Sequence, residues 1–306
     1  MKNAKRAGMK EVDKFNYYQA DNEVKSISAA SGTVVMKSAD AWERYEWTRK
    51  YFGRRPKEGY FVWIKKNARL LTCITACSRR AKQEMNNLVV VERGVSADIR
   101  GVCNAAKQKL SATHKAQGKI ILKRDANVKY NHLHHWGRGD SVETDYEFVL
   151  ERGARLEYNY TALATPSNLK IAARFLLRRE ASVDTRININ AKHTRAEIRE
   201  LFELSETDAT ALSRVRIVAN RRSYVNSHSC MSANKKSKGH LDCRGLILSS
   251  GAGIEFTPKL INRCREAVLT HEAGIGRISE RELTYLRSRG LDEKRAIDLI
   301  VKGFLE

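Results

Sequence analysis

The chain has 306 residues, and 57 Lys or Arg against 35 Asp or Glu leave a formal net charge of +22. A composition that is 42% hydrophobic and 30% charged excludes a disordered chain and gives ample core for one elongated domain or two compact ones. No apolar run approaches the ~18–20 residues of a membrane span. No apolar stretch follows the charged start Met1-Lys2-Asn3-Ala4-Lys5-Arg6, so no secretory signal is expected and the cytoplasm is the expected location.

In chain order, residues 1–38 look weakly structured. Trp42, Tyr45, Trp47, Tyr51 and Phe52, spread among charges in residues 39–53, suggest an amphipathic helix. Residues 1–60 are thus expected to form an N-terminal helical or irregular region.

Residues 61–270 carry an internal repeat. Six segments share an apolar start and a polar turn: they begin at Val89, Ile120, Phe148, Phe175, Phe202 and Leu246. The last gap, 44 residues, leaves room for one more coil near Val215–Val218. Period-two alternation follows each turn, as in Leu156 and Tyr158 or Val128 and Tyr130, so one set of side chains can fill the interior of a coil. A period near 27 residues with two short strands per unit reads as a mainly β stacked solenoid, a parallel β-helix. Glycine or an acidic residue at the turn suits a tight corner. Only three prolines occur, so ladders can run uninterrupted. A β-sandwich with coincidental spacing is the alternative.

The C-terminal part, 271–306, reads as two short helices. Ser279 with Glu282 makes a capping box, Leu283 and Leu286 share a face, and Gly290 stops the first helix. Asp292 caps the second, in which Ala296, Leu299 and Ile300 form a stripe ending at Gly303. Such a pair either caps the solenoid or presents a docking surface.

The charge is uneven: residues 241–306 balance to +1, the first 60 to +5, and 61–240 hold the remaining +16. A basic stripe of this size attracts phosphates, so a solenoid that binds nucleic acid is one reading. No aromatic ladder between basic residues and no helix-turn-helix pattern supports it. The six cysteines, Cys73, Cys77, Cys103, Cys230, Cys243 and Cys264, are expected as reduced thiols. The Cys73/Cys77 CxxxC has no further ligand at zinc-finger spacing, which argues against a structural zinc site.

There is no GxxxxGK[ST], so ATP hydrolysis is not expected of this chain. GxSxG, HExxH and GxGxxG are also absent. What remains are thiol, imidazole and carboxylate groups: Cys243, His271-Glu272, Cys103, and His132, His134 and His135. Singly, each has an ordinary structural explanation. Cys243 and His271, however, lie 28 residues apart, close to one repeat, which permits them to approach on neighbouring coils. On a strand His132 and His134 share one face, able to hold a metal or, as preferred here, forming a polar outer face.

At these residues the chain resembles the SufB/SufD scaffold proteins of the SUF iron–sulfur cluster assembly system. The likeness is strongest in Gly239-His240-Leu241-Asp242-Cys243, Thr270-His271-Glu272-Ala273, Leu286-Arg287-Ser288-Arg289-Gly290-Leu291 and Ile300-Val301-Lys302-Gly303-Phe304. Weaker echoes extend it over most of residues 40–306. The resemblance implies a right-handed parallel β-helix with helical ends and a transient iron–sulfur cluster, [4Fe-4S] or [2Fe-2S]. It implies an ABC-type ATPase of the SufC kind docked on the C-terminal helices, through Leu283, Leu286, Leu291, Ile297, Ile300 and Phe304. It further implies a second SufB/SufD-type subunit, with a homodimer expected, and no enzymatic turnover in this chain. By position Cys243 matches the sulfur and cluster acceptor, while His271 and Glu272 match non-cysteine ligands. Cys103, in Gly101-Val102-Cys103 where the family has Gly-Cys adjacent, falls near an internal cysteine through which sulfur enters. Cys243 with Glu272 argues for the cluster-bearing SufB role over a SufD-like partner without a cluster. At this length the chain resembles a short, archaeal-type version lacking the long N-terminal region of larger SufB proteins.

Overall fold

The computed structural model of the protein describes residues 15–306. Four strands and two short helices open it: β1 (Tyr17–Ala20), β2 (Glu23–Ile27), β3 (Thr33–Lys37), α1 (Ser38–Arg44), α2 (Arg49–Phe52) and β4 (Tyr60–Ile64). Fifteen more strands follow: β5 (Ala68–Ala76), β6 (Lys82–Val91), β7 (Ser96–Ala105), β8 (Thr113–Leu122), β9 (Asn127–His135), β10 (Ser141–Leu150), β11 (Arg155–Ala164), β12 (Asn168–Leu177), β13 (Ser182–Lys192), β14 (Arg195–Leu204), β15 (Ala209–Asn220), β16 (Tyr224–Ala233), β17 (Ser237–Ile247), β18 (Gly253–Asn262) and β19 (Val268–Arg277). The chain ends in α3 (Glu280–Ser288) and α4 (Glu293–Leu305).

From β4 on, successive strands alternate between two sheets, and each pairs in parallel with the strand two ahead. This is the parallel β-helix that the repeat predicted. One sheet runs from β2 to β19 and the other from β3 to β18. Inward positions are apolar because their side chains meet only one another between the sheets. Phe148, Phe175 and Phe202 are register partners and stack at 4.7 and 4.8 Å. The corners behave as their residues suggested. Gly94, Asp125, Gly153, Glu180 and Asp208 all take left-handed φ, between 59° and 70°. Their backbone N–H groups each donate to a carbonyl of the next coil.

The first five repeat segments are register partners, but the sixth is not. Phe202 is followed in its column by Met231 and Leu260, whereas Leu246 lies in β17 of the other sheet, opposite Val218. Leu246 is apolar for another reason: with Val218 it receives Leu305, Phe304 and Ile300 of α4. The residues expected as an extra coil, Val215–Val218, are the middle of β15.

The ends also differ from expectation. The strands reach from Tyr17 to Arg277, so the solenoid extends beyond 61–270 in both directions. Of residues 1–38, expected to be weakly structured, 17–37 hold three strands, and 1–14 lie outside the described residues. The single helix expected at 39–53 is α1 and α2 around a 3₁₀ turn, Glu46–Thr48. Its aromatic residues cover the outer face of β4, where Trp47 and Tyr45 pack on Phe61 and Trp63. At the C-terminus Asp292 caps α4 by accepting from the Arg295 N–H at 2.8 Å. Ser279 occupies the N-cap of α3 without a side-chain cap bond, so no capping box forms. α4 continues through Gly303 to Leu305, because Phe304 and Leu305 seat on the solenoid.

Outward faces carry charge in rungs. Lys119–Glu147, Lys123–Glu151, Lys129–Glu157, Arg152–Glu180 and Arg178–Glu206 each tie one coil to the next at 2.8–3.3 Å. These pairs are partly exposed, so each contributes little on its own.

Candidate functional site

Two groups of chemistry-bearing side chains lie apart in the interior, one towards its C-terminal end and the other on β7 and β9. The first centres on Cys243. Alternation along β17 turns Leu241 and Cys243 inward and Asp242 and Arg244 outward. Cys243 is 2% exposed. Burial, reinforced by the charges of Glu200 and Asp242, pushes its thiol up to about 12. Behind it stands Glu200, 2% exposed, which accepts from Thr185 at 3.0 Å, Ser213 at 2.8 Å and Ser229 at 3.1 Å. Desolvation raises the Glu200 carboxyl above its ordinary range despite these three donors.

His271 and Glu272 lie on β19, the terminal strand of its sheet. Cys243 stands opposite Ala273, and His271 opposite Leu241. His271 therefore shares the inward face with Cys243 but is displaced by two residues. At ~3.3 Å per residue and ~4.8 Å between strands, their Cα atoms are separated by roughly 8 Å. Glu272 pairs with Asp242 on the outward face, where Arg244 donates to it at 2.7 Å. Arg244 also reaches Asp242 at 3.1 Å, and Arg216 forms a second ion pair with Asp242. Against its partial burial, Arg216 and then Arg244 hold the Asp242 carboxyl below its usual range. The three residues expected to converge thus divide: Cys243 is buried inward, His271 lies on the same side but is exposed on the terminal strand, and Glu272 points outward in an ion-pair network.

The second group corrects the outer-face expectation for the histidines. Val128, Tyr130, His132 and His134 are the inward positions of β9, and of its three histidines His135 alone is exposed. Cys103, 5% exposed, is the register partner of His134, and Gly101 that of His132. The Cys103 Sγ lies 3.5 Å from His132 Nε2, which is 3.0 Å from His134 Nε2. Burial pushes the Cys103 thiol up. Burial likewise lowers His132 to about 4 and His114 to about 3, the latter helped by His132. His134 falls well below its usual value for the same reasons. These imidazoles are neutral at physiological pH, the state in which they ligate metals.

The helices complete the picture. Leu283, Leu286, Leu291, Ile297, Ile300 and Phe304 are all half-buried. Ile300 and Phe304 pack against the solenoid, while Tyr285 and Leu299 are the exposed large apolar residues of α3 and α4.

The profile of the SUF system FeS cluster assembly SufBD core domain matches residues 74–304. The chain belongs to the SufBD family. It is 26% identical over 312 residues to the iron-sulfur cluster assembly SufBD family protein of Archaeoglobus fulgidus, covering 95% of this chain and 84% of that one. Over 327 residues it is 26% identical to the corresponding protein of Methanothermobacter thermautotrophicus, at 94% and 77% coverage. The Staphylococcus epidermidis relative is 26% identical over 261 residues, 81% of this chain and 55% of its own.

Two interior members of this SufBD chain escaped the sequence reading, and one of them had a signal. Glu200 interrupts the inward series Ala196, Ile198, Glu200, Phe202, Leu204, so a carboxylate stood at a core position. His114 lies on the inward face of β8, opposite Gln83, and only the register shows it. No helix among the described residues is long and apolar enough to cross a membrane.

Proposed function

We propose that this SufBD protein is a cytoplasmic scaffold on which an iron–sulfur cluster is assembled from iron and sulfur and then released. The observation that carries this reading is Cys243 on the inward face of β17, beneath a terminal strand that bears His271 on the same side. Cluster iron prefers thiolate. One thiolate supplemented by imidazole makes a weaker, exchangeable set, which suits a product that has to leave. Cys243 is a closed thiol in the folded chain, so ligation needs its proton removed and the end of the solenoid opened.

β18 and β19 are the last strands of their sheets, and β19 exposes Val268 and Ile275. Unpaired edges of this kind join readily to another chain, which supports a homodimer with the cluster near the joint. An ABC-type ATPase of the SufC kind is the second partner, docking on α3 and α4. There the free apolar contacts are Tyr285 and Leu299, since Ile300 and Phe304 anchor α4 to its own solenoid. The chain itself turns nothing over.

Anaerobic reconstitution with ferrous iron and sulfide tests the reading. A visible-absorbing cluster is expected in the wild type and none in Cys243→Ala. Full cluster in Cys243→Ala removes the role of that residue. A SufD-like partner role is the second reading, favoured by the burial of the protonated Cys243 thiol. It predicts no cluster in the wild type while binding of the ATPase through residues 279–306 persists.

A further inference from the structure

We infer that Cys103, His132 and His134 form a binding site, inside the solenoid, for a single divalent ion of the iron(II)–zinc(II) class. The site is distinct from Cys243, and the proposal does not depend on where a cluster is built. The three donor atoms lie within 4.8 Å of one another. Metal–sulfur and metal–nitrogen bonds of ~2.3 and ~2.05 Å in a tetrahedron need S···N edges of about 3.5 Å and N···N edges of about 3.3 Å. The Cys103 Sγ–His132 Nε2 distance is already 3.5 Å, and the His132–His134 Nε2 pair at 3.0 Å has only to open slightly. The remaining edge, no longer than 4.8 Å, closes by at most about 1.3 Å.

The local sequence makes room for this arrangement. Gly101 faces His132, and a Cβ there would meet the ring at 3.1 Å and the Tyr130 hydroxyl at 3.2 Å. Around the three donors stands a shell that orients them. Tyr160 Oη and Trp136 Nε1 both lie on His134 Nδ1, at 2.8 and 3.2 Å. Indole N–H only donates, so without metal the His134 proton sits on Nε2 and points at His132 Nε2. Metal binding moves that proton to Nδ1, where the Tyr160 oxygen accepts it, and Trp136 Nε1 yields its bond. The Cys103 S–H bond breaks as the sulfur–metal bond forms, and its proton leaves to solvent.

A second observation points to a ligand. The Gln83 amide nitrogen donates to the carbonyls of Asp21 and Thr75, so its oxygen accepts from His114 Nδ1–H at 2.9 Å. That leaves the lone pair on His114 Nε2, a buried nitrogen with no partner. The His114 ring is 6.5 Å from that of His134. An imidazole whose other N–H is fixed by an amide oxygen is the form in which proteins present histidine to metals; His114 packs on Trp136 at 5.0 Å, outside the group of three donors, and has to shift inward to become a fourth ligand.

Anaerobic titration of the full chain with cobalt(II) alone, without sulfide and in a Cys243→Ser background, tests the site. One equivalent is expected, with a thiolate-to-cobalt charge-transfer band. The band should vanish in Cys103→Ser, and affinity should fall at least tenfold in His132→Gln. X-ray absorption of the zinc-loaded chain needs no substitution at Cys103, His132 or His134. It should show one sulfur at about 2.3 Å and nitrogens at about 2.0–2.1 Å. No band in the Cys243→Ser chain, a band that survives Cys103→Ser, or a shell without sulfur each overturns the proposal and leaves a hydrogen-bonded network only. A missing cluster after reconstitution, with the cobalt band intact, counts against the scaffold role and not against this site.

Discussion

The strand partner of His271 is Leu241, not Cys243. The two-residue offset keeps His271 and Cys243 on the same face of the sheet but in neighbouring columns, and it puts Glu272 outside with Arg244. The two residues should therefore differ in effect. His271→Ala is expected to release a reconstituted cluster several-fold faster than the wild type. Glu272→Ala should stay within about twofold of the wild type and leave stability almost unchanged, since both partners of its ion pair are half exposed. Release rates followed by absorbance check this, and a larger effect at Glu272 would invert the assignment.

Glu200 gives a pH signature. Its carboxyl is raised in the folded chain by desolvation, so the folded state favours the protonated form. The stability this contributes is complete below the unfolded value of about 4.5 and is lost as pH rises through the folded value. Glu200→Gln should remove that component. Urea midpoints measured at pH 5 and pH 8 should differ less in the variant than in the wild type. An unchanged difference would show that Glu200 titrates normally.

The stacked Phe148, Phe175 and Phe202 hold three coils together. Phe175→Ala should cost ~3–5 kcal/mol, because rings on both sides lose their partner and the site cannot collapse. Chemical denaturation measures this; a loss below ~1 kcal/mol would mean that the column is not a principal source of stability.

Gly94 and Gly153 occupy equivalent corners with φ of +69° and +70°. Alanine at either position should cost ~1–2 kcal/mol for the left-handed backbone. Gly153→Ala should cost more, because its Cβ would lie 2.3 Å from the Asp125 Oδ1, whereas nothing lies within 4 Å at Gly94. Equal urea midpoints for the two variants would remove the steric part.

The solenoid was legible because five turns, from Val89 to Phe202, repeat the same inward apolar column at nearly constant spacing. Where the spacing changes, the reading slips. The last coil takes 30 residues from Lys238 to its partner Val268, not 28, and that is the two-residue displacement between Cys243 and His271. Leu246 matched the repeat by composition, but it owes its character to α4. His132 and His134 were legible as sharing a face, whereas which face is inward depends on Tyr130 and Val128 beside them and on Cys103 one coil away. A single polar strand does not carry that information. The His114 and Glu200 networks join residues on separate strands, so only the folded register brings their members together.

Parallel anaerobic reconstitution of the wild type, Cys243→Ser and Cys103→Ser with iron and inorganic sulfide tests the scaffold role most directly. Iron and acid-labile sulfide per chain are read alongside visible absorbance. The account predicts a cluster in the wild type and in Cys103→Ser, and its loss in Cys243→Ser. A cluster retained in Cys243→Ser, or absent from a folded wild type, would contradict it.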